Sequence, residues 1–157
     1  MIRNQGSVTR NQVKLMKGNA MEKKGLEGLH VWQKSRELAV AVYQKILPVL
    51  PHEEKNAIAQ QLRRSVQSVP ANIAEAHGRY SYQEGIRFSY IAGGSLEETH
   101  SHLILIKNLG YAPDEAVQEC LDLYIETAKL INGYIEYLKR SQGTKKKAIS
   151  SSIEYQW

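Results

Sequence analysis

The sequence predicts an all-α fold, an antiparallel up-and-down four-helix bundle, and three observations lead to this prediction. Four segments repeat apolar residues at spacings of three and four, which is the period of an amphipathic helix. Short stretches containing proline or glycine separate these segments. No segment alternates apolar and polar residues over a length sufficient for a strand. The 157 residues are enough for one domain with a single core.

The first two predicted helices are separated by a connection that contains two prolines. Helix 1 covers residues 29–47 and ends at the sequence Leu-Pro-Val-Leu-Pro. Its apolar face consists of Val31, Leu38, Val42 and Ile46. Helix 2 starts near Pro51, because proline is favoured in a first helical turn. Glu53 and Glu54 follow at the positive end of the helix dipole.

The last two predicted helices are marked by residues typical of helix ends. Helix 3 begins at Ser81, which can cap the helix, and Glu84 can complete a capping box. It ends before Gly110, which suits the left-handed position after a helix. Its apolar pattern runs through Phe88, Ile91, Ala92, Ser95, Thr99, Leu103 and Ile106. Helix 4 begins at Pro113, and its apolar residues are Val117, Leu121, Tyr124, Ala128, Ile131, Ile135 and Leu138.

Helix 2 has two adjoining faces and a proline in its interior. The predicted core face consists of Leu62, Val66, Val69, Ile73 and Ala76, and the polar face consists of Arg64, Ser68, Asn72, Glu75 and Arg79. Pro70 cannot donate a hydrogen bond to the carbonyl of Val66, so we expect a kink there, with Ser68, Asn72 or water as a donor to that carbonyl. The alternative is a helix that ends near Gln67 and restarts at Ser68.

The polar face of helix 2 and a glycine pair in helix 3 predict close packing. Serine and asparagine are poor residues for an exposed helix face and are more typical of an interface. Two glycines inside a helix, Gly93 and Gly94, cost about 1 kcal/mol each relative to alanine. We expect a close approach of another helix at these glycines and Ser95 to offset that cost. The alternatives are an ordinary solvated face and a flexible kink.

The net charge of +5 is unevenly distributed along the chain. Residues 1–28 hold six basic and two acidic residues, and residues 139–157 hold five basic and one acidic. We therefore divide the chain into a basic arm over 1–28 without regular structure, the bundle over 29–140 and a Lys-rich tail over 141–157. Met21 is an alternative natural start to Met1. Basic arms indicate a polyanion partner, although they can also serve solubility alone.

Enzymatic and membrane functions find little support in the sequence. It contains neither a phosphate-binding glycine loop nor a nucleophile elbow, so we expect no catalytic residue. Glu97 and His100 have the Glu-x-x-His spacing of di-iron bundles, but partner glutamates on other apolar faces are missing, so we expect no metal and no cofactor. Cys120 is the only cysteine, which fits a reducing compartment, and no stretch is apolar enough to span a membrane. We expect a cytoplasmic protein.

Three stretches resemble a known family. The sequences "LHVWQKSRELA", "QLRRSVQSVPANIAEAHGR" and "RFSYIAGGSLEE" resemble the bacterial proteins encoded within 23S rRNA intervening sequences, a family that includes relatives of the accessory variability determinant of diversity-generating retroelements. The resemblance covers residues 29–138. The matching positions are Trp32, Gln61, Arg64, Ser68, Pro70, Asn72, Glu75, Gly78, Arg79, Phe88, Gly94, Ser95 and Glu98. Ala76 stands where the family usually has glycine, and Thr99 replaces a usual leucine, which would remove one core contact.

The resemblance implies a fold, an assembly and partners. It implies an antiparallel four-helix bundle that forms ring-shaped homopentamers. Members of the retroelement branch associate with a reverse transcriptase and bind RNA or DNA through basic surface without catalysis. We therefore expect a non-enzymatic, homo-oligomeric nucleic-acid-binding protein that partners a reverse transcriptase. The alternative is a protein–protein scaffold, encoded in a 23S rRNA intervening sequence, for which RNA binding is incidental.

Two sets of residues follow from this hypothesis. The predicted nucleic-acid contacts are Lys55, Arg63, Arg64, Arg79, Arg87, Lys145, Lys146 and Lys147. The predicted subunit or packing contacts are Trp32, Arg64, Ser68, Asn72, Glu75, Gly94 and Ser95. Helix 4 holds six acidic residues and one basic residue between 113 and 138, so the two sides of the subunit are expected to be oppositely charged and suited to packing in a ring.

Overall fold

The computed structural model describes residues 25–154, and the side chains among them up to residue 146. This part of the chain is helical throughout and contains no strand. The four main helices are α1 (His30–Ala41), α2 (Ile58–Gly78), α3 (Tyr82–Leu109) and α4 (Asp114–Glu154). A 3-10 turn, Leu26–Gly28, precedes α1, and a π-helical turn, Val42–Ile46, with a 3-10 turn, Leu47–Val49, extends it. The prediction of an all-helical protein with four helices is confirmed.

The ends of α3 are formed by the residues that the sequence predicts. The backbone N–H of Glu84 donates to Oγ of Ser81 at 3.1 Å, which caps the first turn. At the other end Gly110 has φ 69°, and the N–H of Tyr111 donates to the carbonyl of Ile106 at 3.1 Å. This is the glycine-dependent termination that satisfies the last carbonyls of a helix. Both predictions are confirmed.

The boundaries of α2 and α4 differ from the predictions. Helix α2 begins at Ile58 and not near Pro51, because residues 52–57 have no apolar face to pack and form a 3-10 turn, His52–Glu54, followed by a further turn. Helix α4 continues to Glu154, through the segment predicted as a Lys-rich tail. The basic arm predicted for residues 1–28 and the question of the natural start lie almost wholly outside the described residues.

Helix α2 is continuous through its proline. A single helix spans Ile58–Gly78 with Pro70 inside it, so the alternative of two helices separated near Ser68 is wrong. Nδ2 of Asn72 was expected to reach the carbonyl of Val66, but it donates to the carbonyl of Ser68 at 2.8 Å instead. A side chain at position 72 reaches the carbonyl four residues earlier, at Ser68, which is two residues short of the Val66 carbonyl that Pro70 leaves without a donor.

One apolar core lies between the four helices. The predicted core face of α2 is confirmed, since its five residues are all buried. The core of α3 is shifted slightly from the predicted stripe, because Leu96 and Ser89 are buried whereas Ile91 is 41% exposed. The buried apolar residues of α4 include Val117, Cys120, Leu121, Ile131, Ile135 and Leu138. In the described range, 25–154, no helix is both long enough and apolar enough to cross a membrane.

Candidate nucleic-acid interface

A row of hydroxyl groups joins α2 to α3. The hydroxyls of Ser68 and Ser95 lie 3.0 Å apart, and those of Ser65 and Thr99 also lie 3.0 Å apart. The Asn72 amide donates to Oγ of Ser68 at 2.9 Å, which extends the row by one turn. Thr99 stands where the family usually has leucine, and it is completely buried. Its hydroxyl contact with Ser65 therefore takes the place of the apolar contact that a leucine would make. Three predicted packing residues, Ser68, Asn72 and Ser95, thus make contacts within the chain.

Next to this row lies an open cleft of about 390 Å³ on the outer surface of α2 and α3. Its lining residues are Gln61, Arg64, Ser65, Gln67, Ser68, Ala71, Ser95 and Glu98. A Cβ atom placed at Gly93 or Gly94 would meet no atom within 4 Å. The described part of the chain therefore does not supply the close approach that we expected at these glycines. Gly94 is exposed on the outside of α3, so another molecule can reach it.

Arg79 differs from the other predicted nucleic-acid contacts. Its guanidinium pairs with Glu75 one turn earlier, and the carboxylate of Glu84 lies 4.0 Å away. The same group lies over the ring of Phe88, at 4.7 Å from the ring centroid. The two carboxylates largely offset the charge of Arg79. Because Glu75 is on α2 whereas Glu84 and Phe88 are on α3, Arg79 is suited to connecting the two helices.

The remaining predicted cations of this side have no ionic partner in the described chain. No described carboxylate lies within 4.0 Å of Lys55, Arg63, Arg64 or Arg87. All four stand before or along α2, or in the first two turns of α3, and only Arg63 is half-buried. Their charges are therefore available to an external anion. Lys145 and Lys146 are exposed on α4, whereas the side chain of Lys147 lies outside the described residues.

On the opposite side of the molecule, formed by α1 and α4, two lysines pair with glutamates of the same chain. Lys34 lies 3.0 Å from both Glu37 and Glu126, and Lys45 pairs with Glu119. The two carboxylates raise the pKa of Lys34 above its usual value, chiefly through their hydrogen bonds. Trp32, a predicted packing residue, is half-buried against the core, and the guanidinium of Arg36 lies over its ring at 5.2 Å from the centroid.

Residues that could suggest an enzyme have packing roles in the structure. The ring of His100 stacks on that of Tyr124 with centroids 4.1 Å apart, and the Tyr124 hydroxyl donates to Oε1 of Glu97 at 2.6 Å. The Glu-x-x-His pair of α3 therefore holds α4. The hydrogen bond to Glu97, together with burial, raises the pKa of Tyr124 to about 12. Cys120 is buried in the core, and burial raises the pKa of its thiol to about 11, which keeps it in the unreactive form.

The sequence reasoning missed a group of tyrosines at one end of the bundle. Tyr80 and Tyr82 flank the start of α3, and Tyr134 and Tyr137 stand on α4, yet all four line one cleft. The available signal was the presence of two short tyrosine pairs, each close to arginine or lysine. Because the pairs are more than 50 positions apart, only the packing of α4 against α3 brings them together.

Comparison with known proteins agrees with the helical architecture. The family model described as 23S rRNA-intervening sequence protein matches residues 27–133, which is more than half of the chain. The chain belongs to this family. Among solved structures, it is similar to a protein of unknown function from the S23 ribosomal protein family of Bacteroides thetaiotaomicron. The two are 30% identical with a TM-score of 0.61, and the match covers 67% of this chain and 97% of that one. A search of the curated proteins found no match.

The match to the 23S rRNA-intervening sequence proteins ends before the last part of α4. Residues 134–154 lie beyond the matched range, and they include Tyr137, Arg140, Lys145 and Lys146. The cleft beside Arg64 and the hydroxyl row lie entirely inside the matched range. The confirmed family resemblance therefore covers the α2–α3 surface, while the basic end of α4 is a feature of this chain outside the matched segment.

Proposed function

We propose that this chain is a non-enzymatic, oligomeric accessory protein that binds the phosphate backbone of RNA or DNA along α2 and the start of α3. The observation that carries the proposal is a set of four cations, Lys55, Arg63, Arg64 and Arg87, none of which has an ionic partner among the described residues. Unpaired lysine and arginine side chains gain affinity for nucleic acid by displacing condensed counterions. Because phosphate contacts do not read bases, sequence preference is expected to be small.

The same proposal includes a particular assembly. An antiparallel arrangement of α2 and α3 is supported by two contacts, Ser68 with Ser95 and Ser65 with Thr99. From the first contact to the second, the residue number decreases along α2 and increases along α3. A bend of α2 at Pro70 fits the loss of one helical hydrogen bond. We propose that subunits pack through the Arg64 cleft and the uncovered Gly93 and Gly94 into a ring of five. We further propose a reverse transcriptase as a partner, on the basis of the sequence motifs alone, which resemble those of retroelement accessory proteins.

Paired substitutions test the phosphate contacts. The variant with Arg63→Gln and Arg64→Gln is compared with the variant with Lys107→Gln and Lys129→Gln, which removes the same charge from other exposed positions. Binding to labelled RNA is measured by fluorescence anisotropy between about 50 and 200 mM salt. We expect the arginine variant to lower the slope of log affinity against log salt by about 2, and the lysine variant to leave it nearly unchanged.

Two results would contradict the proposal in different ways. Wild-type binding that does not weaken over this range of salt would exclude phosphate contacts as its basis. The second candidate function, a protein–protein scaffold, is favoured by the open cleft that Arg64 lines. If the arginine variant dissociates into smaller species by light scattering while RNA affinity persists, the scaffold is the better description.

A further inference from the structure

Two adjoining clefts at one end of the bundle, where the start of α3 lies beside α4, are lined with tyrosines. The first has a volume of about 260 Å³ and includes Tyr80, Tyr82, Tyr134 and Tyr137 in its lining. The second, of about 500 Å³, lies on the outer side of α4. Its lining residues are Tyr82, Tyr137, Arg140, Ser141, Thr144 and Lys145. Because Tyr82 and Tyr137 belong to both clefts, the two form one continuous surface, here called the tyrosine cluster.

The rings of the tyrosine cluster are unusually accessible. Tyr80 is fully exposed and Tyr137 is 55% exposed. Behind them the ring of Tyr134 lies nearly parallel to that of Tyr137, with an interplanar angle of 16° and centroids 6.3 Å apart. Tyr134 is half-buried and packs against the core, so it supports Tyr137 from below. The surface thus presents two accessible aromatic faces, of which that of Tyr137 is supported by the ring of Tyr134.

Cations surround the tyrosine cluster. Arg140 and Lys145 line the outer cleft, and Arg79, whose charge Glu75 and Glu84 largely offset, lines the inner one. The lining residues of both clefts include no aspartate or glutamate. The nearest acidic residues on α2 and α3, Glu75 and Glu84, face Arg79, and Glu136 on α4 pairs with Lys139 at 3.4 Å. The cluster therefore combines free aromatic faces with a positive potential.

We propose that the tyrosine cluster binds a single-stranded segment of nucleic acid. Bases stack on Tyr80 and Tyr137, and Arg140 and Lys145 hold the phosphates on either side. Aromatic platforms beside cations are the general means by which proteins bind single strands, because every base has a stackable face. A duplex keeps its bases stacked on each other, so it cannot use these rings. This inference rests on the proposed function and specifies a substrate class that the arginines of α2 do not distinguish.

Two substitutions at the same positions test the stacking. The variant with Tyr80→Ala and Tyr137→Ala removes the rings, whereas the variant with Tyr80→Phe and Tyr137→Phe keeps the rings and removes only the hydroxyls. Tyr43→Ala serves as the matched control, since Tyr43 is 37% exposed and lies after α1, away from the cluster. The probes are a labelled oligoadenylate of about 15 nucleotides and an RNA duplex of equal length, compared by fluorescence anisotropy.

We expect the alanine variant to lose roughly tenfold in affinity for the oligoadenylate, while the phenylalanine variant and Tyr43→Ala stay within about twofold of wild type. Affinity for the duplex should not change in any of them. If the alanine variant binds the oligoadenylate as wild type does, this inference fails and the proposed function stands. If wild type binds neither probe, the proposed function fails as well. If light scattering shows that the alanine variant alone has lost its assembly, the cluster is a subunit interface and the inference is wrong.

Discussion

The polar side chains on the two sides of this bundle differ in the partners that they contact. On the α2–α3 side, neutral hydroxyls of Ser68 and Ser95 pair with each other, and the neighbouring arginines have no ionic partner in the described chain. On the α1–α4 side, the lysines bridge the two helices and neutralise glutamates, as Lys34 does with Glu126 at 3.0 Å. On the α2–α3 side Arg64 therefore has no ionic partner in the described chain, whereas on the α1–α4 side Lys34 and Lys45 are both paired.

This difference shows which side is suited to an external anion. A charge that already has a carboxylate partner at 3.0 Å is partly neutralised and attracts a further anion less strongly, whereas a free arginine loses only hydration and mobility when it binds one. The α3 helix also has an exposed glycine, Gly94, while the α1–α4 side has the pairs of Lys34 and Lys45. Both sides share one apolar core, so we expect stability and recognition to be separable by substitution.

The largest expected effect comes from the shared core. Leu103→Ala removes a fully buried side chain of α3 and should lower the free energy of unfolding by about 2–5 kcal/mol. Leu105→Ala, two residues along the same helix, is the matched control, because Leu105 is 47% exposed. Its effect should stay within about 0.5 kcal/mol in urea unfolding followed by circular dichroism. A loss at Leu105 as large as that at Leu103 would mean that the outer face of α3 is covered in the assembly.

An intermediate effect distinguishes the hydroxyl row from the ion pairs. Thr99→Val keeps the shape of the side chain but leaves the buried hydroxyl of Ser65 without this partner, so it should cost about 1–3 kcal/mol. Lys45→Met removes the half-exposed pair with Glu119 and should cost less than about 1 kcal/mol. Both are measured by the same urea unfolding. Equal losses would show that the ion pairs stabilise the bundle as much as the hydroxyl row does.

The smallest effect concerns the contact that joins the two sides, between Tyr124 of α4 and Glu97 of α3. The pKa of Tyr124 is raised to about 12, so the folded state holds this proton more tightly than the unfolded chain, in which tyrosine titrates near its usual value. The stability from this contact is therefore fully present below about pH 10 and is lost as the pH rises towards 12. The free energy of unfolding of wild type and of Tyr124→Phe is measured in urea between about pH 10 and 12. We expect the difference between the two free energies to become smaller as the pH rises. A constant difference would contradict the assignment.

Much of the fold could be predicted because it depends on local rules. Ser81 and Gly110 lie at the ends of α3, where the hydrogen bonds join residues only a few positions apart. Their roles can therefore be predicted from the neighbouring residues in the sequence. The start of α2 was predicted too early because a proline and two acidic residues resemble a helix start whether or not apolar residues follow. The segment has to bury a face before it forms a helix, and Ile58 is the first residue there that does so.

The candidate interface was predictable only in part, for a related reason. The arginines of α2 were identified, but the sequence could not distinguish Arg79, which Glu75 and Glu84 engage, from Arg64, which has no such partner in the described chain. Glu84 and Phe88 lie on the next helix, so their contacts with Arg79 depend on the turn between α2 and α3. The tyrosine cluster was missed for the same reason, because its members come from separate helices.

The sequence by itself determined that this protein is helical, which faces of its helices are apolar, and that its basic residues concentrate outside the acidic fourth helix. These properties follow from residue periodicity, capping and charge counts, which act over a few positions. Only the tertiary structure decided which arginines remain free, which serines meet each other, and where tyrosines from distant positions form one surface. Such contacts depend on how whole helices pack, and that arrangement is set by all four apolar faces together.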